Sequence, residues 1–119
     1  MSPARPGRSE PTTSTLALAA MRCRPGAPRL GHDELVAHVR NLPGWSVAGE
    51  SLARTFAFDS YPATLAFVNA VAFLAQHEDH HPDLVVRFAE CQVRFTTHDA
   101  GGITLNDVIC AAKIERLLA

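Results

Sequence analysis

A chain of 119 residues that is 47% hydrophobic fits one globular domain with a single core. Its formal charge of −1 supplies neither a broad basic surface nor an acidic tail, so no direct nucleic-acid partner is expected. No apolar run reaches the roughly 18 residues that cross a bilayer, which removes a spanning helix and a membrane partner from the reading.

Residues 1–29 hold five of the eight prolines and no sustained periodicity, so they read as a disordered extension that cannot offset its ordering entropy. Arg5, Arg8 and the run Leu16 to Met21 faintly imitate a signal or transit peptide, but the run is shorter than a signal h-region. The domain is placed at residues 30–119. Leu35, Val39 and Leu42 share a helical face behind the caps His32 and Asp33, and Pro43-Gly44 stops that helix. Trp45 and Val47 then alternate, Gly49-Glu50 supplies a two-residue turn, and Leu52, Arg54, Phe56 and Phe58 share one face, which is a β-hairpin.

Asp59 or Ser60 caps a second helix with Pro62 in its first turn. Phe67, Val71 and Leu74, beside Val68 and Phe73, give it a broad buried face. Pro82 biases His81 away from helical geometry, so this helix ends near Asp79 or His80. Alternation over Leu84–Phe88 and Cys91–Thr97 gives a second hairpin whose register is loosely fixed, because Ala89 and Glu90 are not preferred turn residues. Thr104 and Asp107 form a T-x-x-D capping box that opens a last helix through Leu117.

The fold class is therefore α+β. The order α-β-β-α-β-β-α makes a four-stranded antiparallel sheet with three helices packed on one face. The other face, expected to carry Trp45, Phe or Val side chains, is a candidate for self-association. Cys23, Cys91 and Cys110 are odd in number, far apart and without C-x-x-C spacing, which argues against a disulfide framework and a thiolate metal site. A reducing cytoplasm is the expected location.

Three of the six histidines crowd His77-Glu78-Asp79-His80-His81-Pro82, where a helix meets a strand. Antiparallel pairing brings the start of Leu84–Phe88 against the end of Cys91–Thr97, so His81 and His98 are expected to be neighbours. Imidazoles titrating near pH 6.5 both give and take protons at neutral pH, which suits elimination or addition of water. No serine or cysteine sits in an elbow or triad spacing. The plainer readings are a solvated helix end for His77 and Glu78, a cap for Asp107, and turn chemistry for His98 and Asp99. His77 to His81 spells H-E-x-x-H, yet Pro82 disfavours the helix that spacing needs, so no metal is assigned.

Asp79-His80-His81-Pro82-Asp83, followed at fixed spacing by Phe88, His98 and Asp107, resembles the signature of the pterin-4a-carbinolamine dehydratase family. Leu42-Pro43-Gly44-Trp45 and Phe56 to Phe58 extend the likeness over residues 30–118. The resemblance implies a cytoplasmic hydro-lyase that removes water from 4a-hydroxytetrahydropterin to give quinonoid dihydropterin, in tetrahydrobiopterin recycling. It implies catalytic roles for His80, His81 and His98, substrate contacts from Asp79, Thr96, Thr97 and Asp99, and no cofactor or metal. A homodimer or homotetramer is implied too, as is an alternative role as a non-enzymatic dimerisation cofactor of a transcription factor. Two positions depart from the family pattern. Gln76 stands where an acidic residue is usual, which implies a lower imidazolium pKa, and Leu84 stands where an aromatic is common.

Overall fold

The computed structural model describes residues 13–119. Its elements are α1 (Thr13–Ala19), α2 (His32–Arg40), β1 (Ser46–Ala48), β2 (Ser51–Ala57), α3 (Tyr61–Glu78), β3 (Asp83–Val86), β4 (Glu90–Phe95), a 3-10 turn (His98–Ala100) and α4 (Leu105–Leu118). The strands form one antiparallel sheet in the order β1-β2-β4-β3. The two hairpins are thus joined through β2 and β4, with Leu52 opposite Phe95 and Phe56 opposite Cys91.

Period-two alternation sorts the sheet residues. Leu52, Arg54, Phe56, Cys91, Val93 and Phe95 are buried on the helix side. Ala53, Thr55, Ala57, Gln92 and Arg94 stand on the other side, which the helices leave uncovered. Trp45 is not on that open face. It is 4% exposed and packs edge-on to Phe56 at 5.9 Å, so the expectation of an open face carrying Trp45 does not hold. Phe56 and Phe58 meet Phe67 of α3 at 4.8 Å and 5.1 Å, and this aromatic chain ties α3 to the sheet.

The first turn behaves as its sequence demands, with Gly49 at φ 63 supplying the positive φ that a two-residue hairpin needs. Gly44, at φ 88, would place a Cβ 2.7 Å from Cζ of Arg54, so only glycine fits there. Helix α2 starts one step earlier than its expected caps, with extended Gly31 as its N-cap. In α3 the Ser60 hydroxyl accepts from the Ala63 N–H and Pro62 lies in the first turn. Phe73 of that helix is 78% exposed, so its buried face is a narrower stripe of Thr64, Phe67, Val71, Ala75 and Glu78.

The expected unstructured extension over residues 1–29 divides into residues 1–12, outside the described residues, and residues 13–29, where the chain is ordered. Helix α1 packs on α4, burying Thr15, Leu18 and Ala19, and Lys113 of α4 donates to the Ala19 carbonyl at 2.7 Å. A cation at a helix C-terminus satisfies one of its orphan carbonyls and complements the dipole. The consequence is that α4 is buried on nearly all sides, from Asn106 to Glu115. A fourth helix therefore joins the three expected ones.

Candidate active site

Helix α3 stops at Glu78 with Asp79 in the left-handed region, φ 52 and ψ 41. The His80 N–H returns to the Ala75 carbonyl at 3.1 Å, the six-to-one bond of a helix-ending turn usually completed by glycine. That turn throws the His80 ring inward. The ring lies flat against Phe95, 6.0 Å between centroids and 8° between planes, and its Nε2 meets Oδ1 of Asp107 at 2.6 Å.

Asp107 is fully buried at the start of α4, and its second oxygen accepts from the Thr104 N–H and the Thr97 hydroxyl, each at 2.8 Å. The capping box read from the sequence is present. The same carboxylate also orients an imidazole, which the assignment of Asp107 as a cap alone did not include. Its hydrogen bond raises the His80 pKa above the ordinary imidazole value; burial opposes this, and the charges of Asp107 and Asp79 add to it. Gln76 is exposed on α3, and the carboxylate serving His80 comes instead from α4.

A cavity of about 690 Å³ opens beside this pair, and Asp79, His80, Thr97 and Asp99 all lie in its wall. The segment Arg22 to Arg29 forms the opposite side, held by reciprocal bonds between Arg24 and the Asn106 side chain at 3.0 Å and 2.7 Å. No sequence signal marked that segment as part of a site.

Glu78 is not the solvated helix-end residue expected, since its side chain is 2% exposed. It accepts from the Cys23 N–H at 2.8 Å and pairs with Arg22 at 2.8 Å and more loosely with Lys113 at 3.8 Å. Burial works against its ionised form, but the Cys23 N–H, His77, Lys113 and Arg22 together hold its pKa below the ordinary range. His77 is 69% exposed, in keeping with a helix-end residue. Because α3 ends at Glu78, the H-E-x-x-H letters do not lie on one helix.

His81 is exposed, and His98 opens the 3-10 turn after β4. His98 and Thr96 line a second cavity of about 490 Å³ with Glu50, Asp83 and Arg94. The Thr96 hydroxyl also donates to the Glu50 carbonyl at 2.7 Å, which ties that wall to the first hairpin. His80 and His98 therefore line different cavities of this chain. The strand register explains the divergence: β4 leaves the ladder after Phe95, and Thr97 turns inward to Asp107 before His98 turns outward.

Comparison with known proteins gives a consistent answer. The sequence model of the family described as Pterin 4 alpha carbinolamine dehydratase matches residues 28–117. Proteins provisionally named pterin-4-alpha-carbinolamine dehydratase are similar throughout. One from Nitrosospira multiformis is 48% identical over 103 residues, covering 84% of this chain and 91% of its own. One from Stenotrophomonas maltophilia is 49% identical over 108 residues, covering 84% and 90%. Among solved structures, a transcriptional coactivator/pterin dehydratase from Brucella melitensis aligns with TM-score 0.72 and 30% identity over 76% of this chain and 99% of that one. A pterin dehydratase-like RuBisCO assembly factor of the alpha-carboxysome shares the fold at TM-score 0.52 and 24% identity, over 63% of this chain and 87% of its own. The chain belongs to the pterin 4 alpha carbinolamine dehydratase family.

Proposed function

We propose that this chain removes water from a 4a-hydroxytetrahydropterin to give the quinonoid dihydropterin, with His80 as the proton donor to the departing hydroxyl. The observation that carries the reading is the His80–Asp107 pair at 2.6 Å in the wall of the larger cavity. The hydrogen bond from Asp107 raises the imidazole pKa and so favours the protonated ring, and Asp107 takes Nε2, which leaves Nδ1 to meet a substrate. The C–O bond breaks as that proton moves to the hydroxyl, and a second base removes the pterin ring N–H whose electrons form the new double bond. His81 or His98 supplies that base, His98 together with Thr96 from the second cavity, which a heterocycle lying across Thr97 reaches, and Asp79, Thr97 and Asp99 offer polar contacts from the larger one. Family membership supports the substrate class, and the homo-oligomer implied by the resemblance belongs to the same proposal.

The test is stopped-flow decay of freshly generated 4a-hydroxytetrahydropterin. His80→Ala is expected to lower the catalysed rate by roughly 10²- to 10⁴-fold, the usual contribution of a positioned acid or base. His81→Ala and His98→Ala, assayed alongside, identify the base by which of them falls comparably. A His80→Ala variant as fast as the parent would remove the assignment.

A second reading is protein interaction, favoured by the sheet face on which Thr55 and Ala57 are exposed beside Gln92 and Arg94 and by the coactivator half of the Brucella melitensis protein's name. It predicts a partner whose binding survives His80→Ala and is lost on Ala57→Arg at that face.

A further inference from the structure

The Cys23 and Cys110 sulfurs lie 3.5 Å apart, although 87 positions separate them in sequence. Cys110 is fully buried on α4. Cys23 is half-buried and lies in the wall of the cavity beside His80, which Cys110 does not line, so a small solute in that cavity meets Cys23 first. Its backbone is clipped to Glu78 through the N–H at 2.8 Å, and its sulfur sits 3.6 Å from the Asn106 carbonyl.

We propose that Cys23 and Cys110 form a peroxide-oxidisable dithiol, with Cys23 as the sulfur attacked first and Cys110 as the one that resolves it. The chemistry balances with hydrogen peroxide as the two-electron oxidant, its O–O bond breaking in the first step. The Cys23 thiolate attacks the O–O bond, forming an S–O bond and releasing hydroxide, which takes up a proton to become water. Cys110 then attacks the sulfur of the sulfenic acid. An S–S bond forms, the S–O bond breaks, and the leaving hydroxide accepts the Cys110 proton as a second water. The sulfurs must close from 3.5 Å to the roughly 2.0 Å of a disulfide, a movement that falls to the loop bearing Cys23 rather than to the packed helix. The electrostatics run the same way. The hydrogen bond from the Cys110 thiol leads in holding the Cys23 pKa below its ordinary value, with His80 assisting against burial and Glu78. Cys110 is pushed up by that same bond and by burial. Low-pKa, reachable thiols beside a resolving cysteine are the ones that oxidise selectively.

The inference is independent of the pterin reading, because it concerns only the arm of residues 22–29 and α4. The experiment treats the reduced full chain with a small excess of hydrogen peroxide, blocks free thiols with iodoacetamide, and maps peptides without reduction. The expected product is a monomeric chain lighter by two hydrogens before alkylation, with Cys23 joined to Cys110, only Cys91 taking up the alkyl group afterwards, and reversal by dithiothreitol. In Cys110→Ala the expected product is a Cys23 sulfenic acid captured by dimedone, and in Cys23→Ala the Cys110 thiol survives the same treatment. Three free thiols under peroxide that oxidises cysteine in solution, a link to Cys91, or equal loss of Cys110 in Cys23→Ala would each overturn the proposal. Cys23 is half-buried at the edge of the core whereas Cys110 is fully buried within it, so Cys23→Ala removes less packing and remains informative should Cys110→Ala fold poorly.

Discussion

Helix α4 buries two carboxylates, one near each end, and they do opposite things. Glu115 receives the Arg54 guanidinium and the Trp45 indole N–H, each at 2.8 Å, and both charged partners are nearly inaccessible, 7% and 6% exposed. Arg54 also donates to the Pro43 carbonyl at 2.7 Å and lies over the Phe56 ring at 4.7 Å. Asp107 instead faces a histidine that is 13% exposed and reaches the cavity. A permanent cation makes the first cluster a fixed part of the core, whereas a titratable one at the cavity wall makes the second a proton store. The contrast separates structure from chemistry within one helix.

Breaking the structural cluster is expected to give the largest change in stability. Glu115→Ala removes the carboxylate that faces a buried guanidinium and accepts the indole N–H, which costs roughly 3–5 kcal/mol when one partner of a buried ion pair is lost. Urea denaturation measures it, and a loss below about 1 kcal/mol would show that water or rearrangement replaces the carboxylate. Glu115→Gln keeps an oxygen for the indole and should fall between the two.

The His80–Asp107 cluster sharpens the comparison through pH. Asp107→Asn is expected to cost about 1–3 kcal/mol, because charge-assisted bonds from His80, Thr97 and the Thr104 N–H weaken together. Its diagnostic effect is elsewhere. A histidine whose folded pKa is raised contributes stability that is complete below the unfolded value of about 6.5 and fades as pH rises through the folded value. The difference in stability between parent and Asp107→Asn should therefore be widest on the acid side of neutrality and shrink above it. With His80 as the proton donor, the alkaline limb of the rate profile moves to lower pH in Asp107→Asn. A profile that drops in height without moving would place the proton on another group.

Much of this contrast was legible in the chain and part of it was not. Arg54 on the same strand face as Leu52 and Phe56 was legible, because period-two alternation fixes sides, whereas Trp45, expected on the open face, lies in the core against Phe56. What they bond to was not legible, since Glu115 lies far along the sequence on a helix whose burial depends on α1. Seven residues of modest hydrophobicity, Thr13–Ala19, carry too little local signal, and only the docking of α1 on α4 makes them a helix. The capping box at Thr104 and Asp107 was readable from spacing, but capping uses one carboxylate oxygen, and the fate of the other is a tertiary matter. His81 and His98 were expected together because strand pairing sets rows of residues opposite each other. The ladder stops at Asp83 opposite Arg94, and just beyond it His98 shares a cavity wall with Asp83 while His80 lines the other cavity, a split that the pairing rule does not foresee. Cys23 and Cys110 illustrate the same limit, since distance in sequence says nothing about a loop folded onto a helix.

The smallest expected effect lies at the joint that aims His80. Asp79 is the one non-glycine residue at positive φ among those described, and the helix can end in the Schellman turn only because that residue tolerates the left-handed region. Aspartate does so better than most L-residues, while a β-branched side chain does not. Asp79→Val is expected to cost about 1–2 kcal/mol, and Asp79→Gly to leave stability within roughly 0.5–1 kcal/mol of the parent as relief of strain offsets added chain entropy. The pair also separates geometry from chemistry in the site. If the aspartate serves only to turn the chain, Asp79→Gly keeps the rate and Asp79→Val loses part of it with its fold. If its carboxylate touches the heterocycle, Asp79→Gly melts with the parent yet shows a raised KM, because the His80 ring still reaches Asp107 and only the polar contact from the cavity wall has gone.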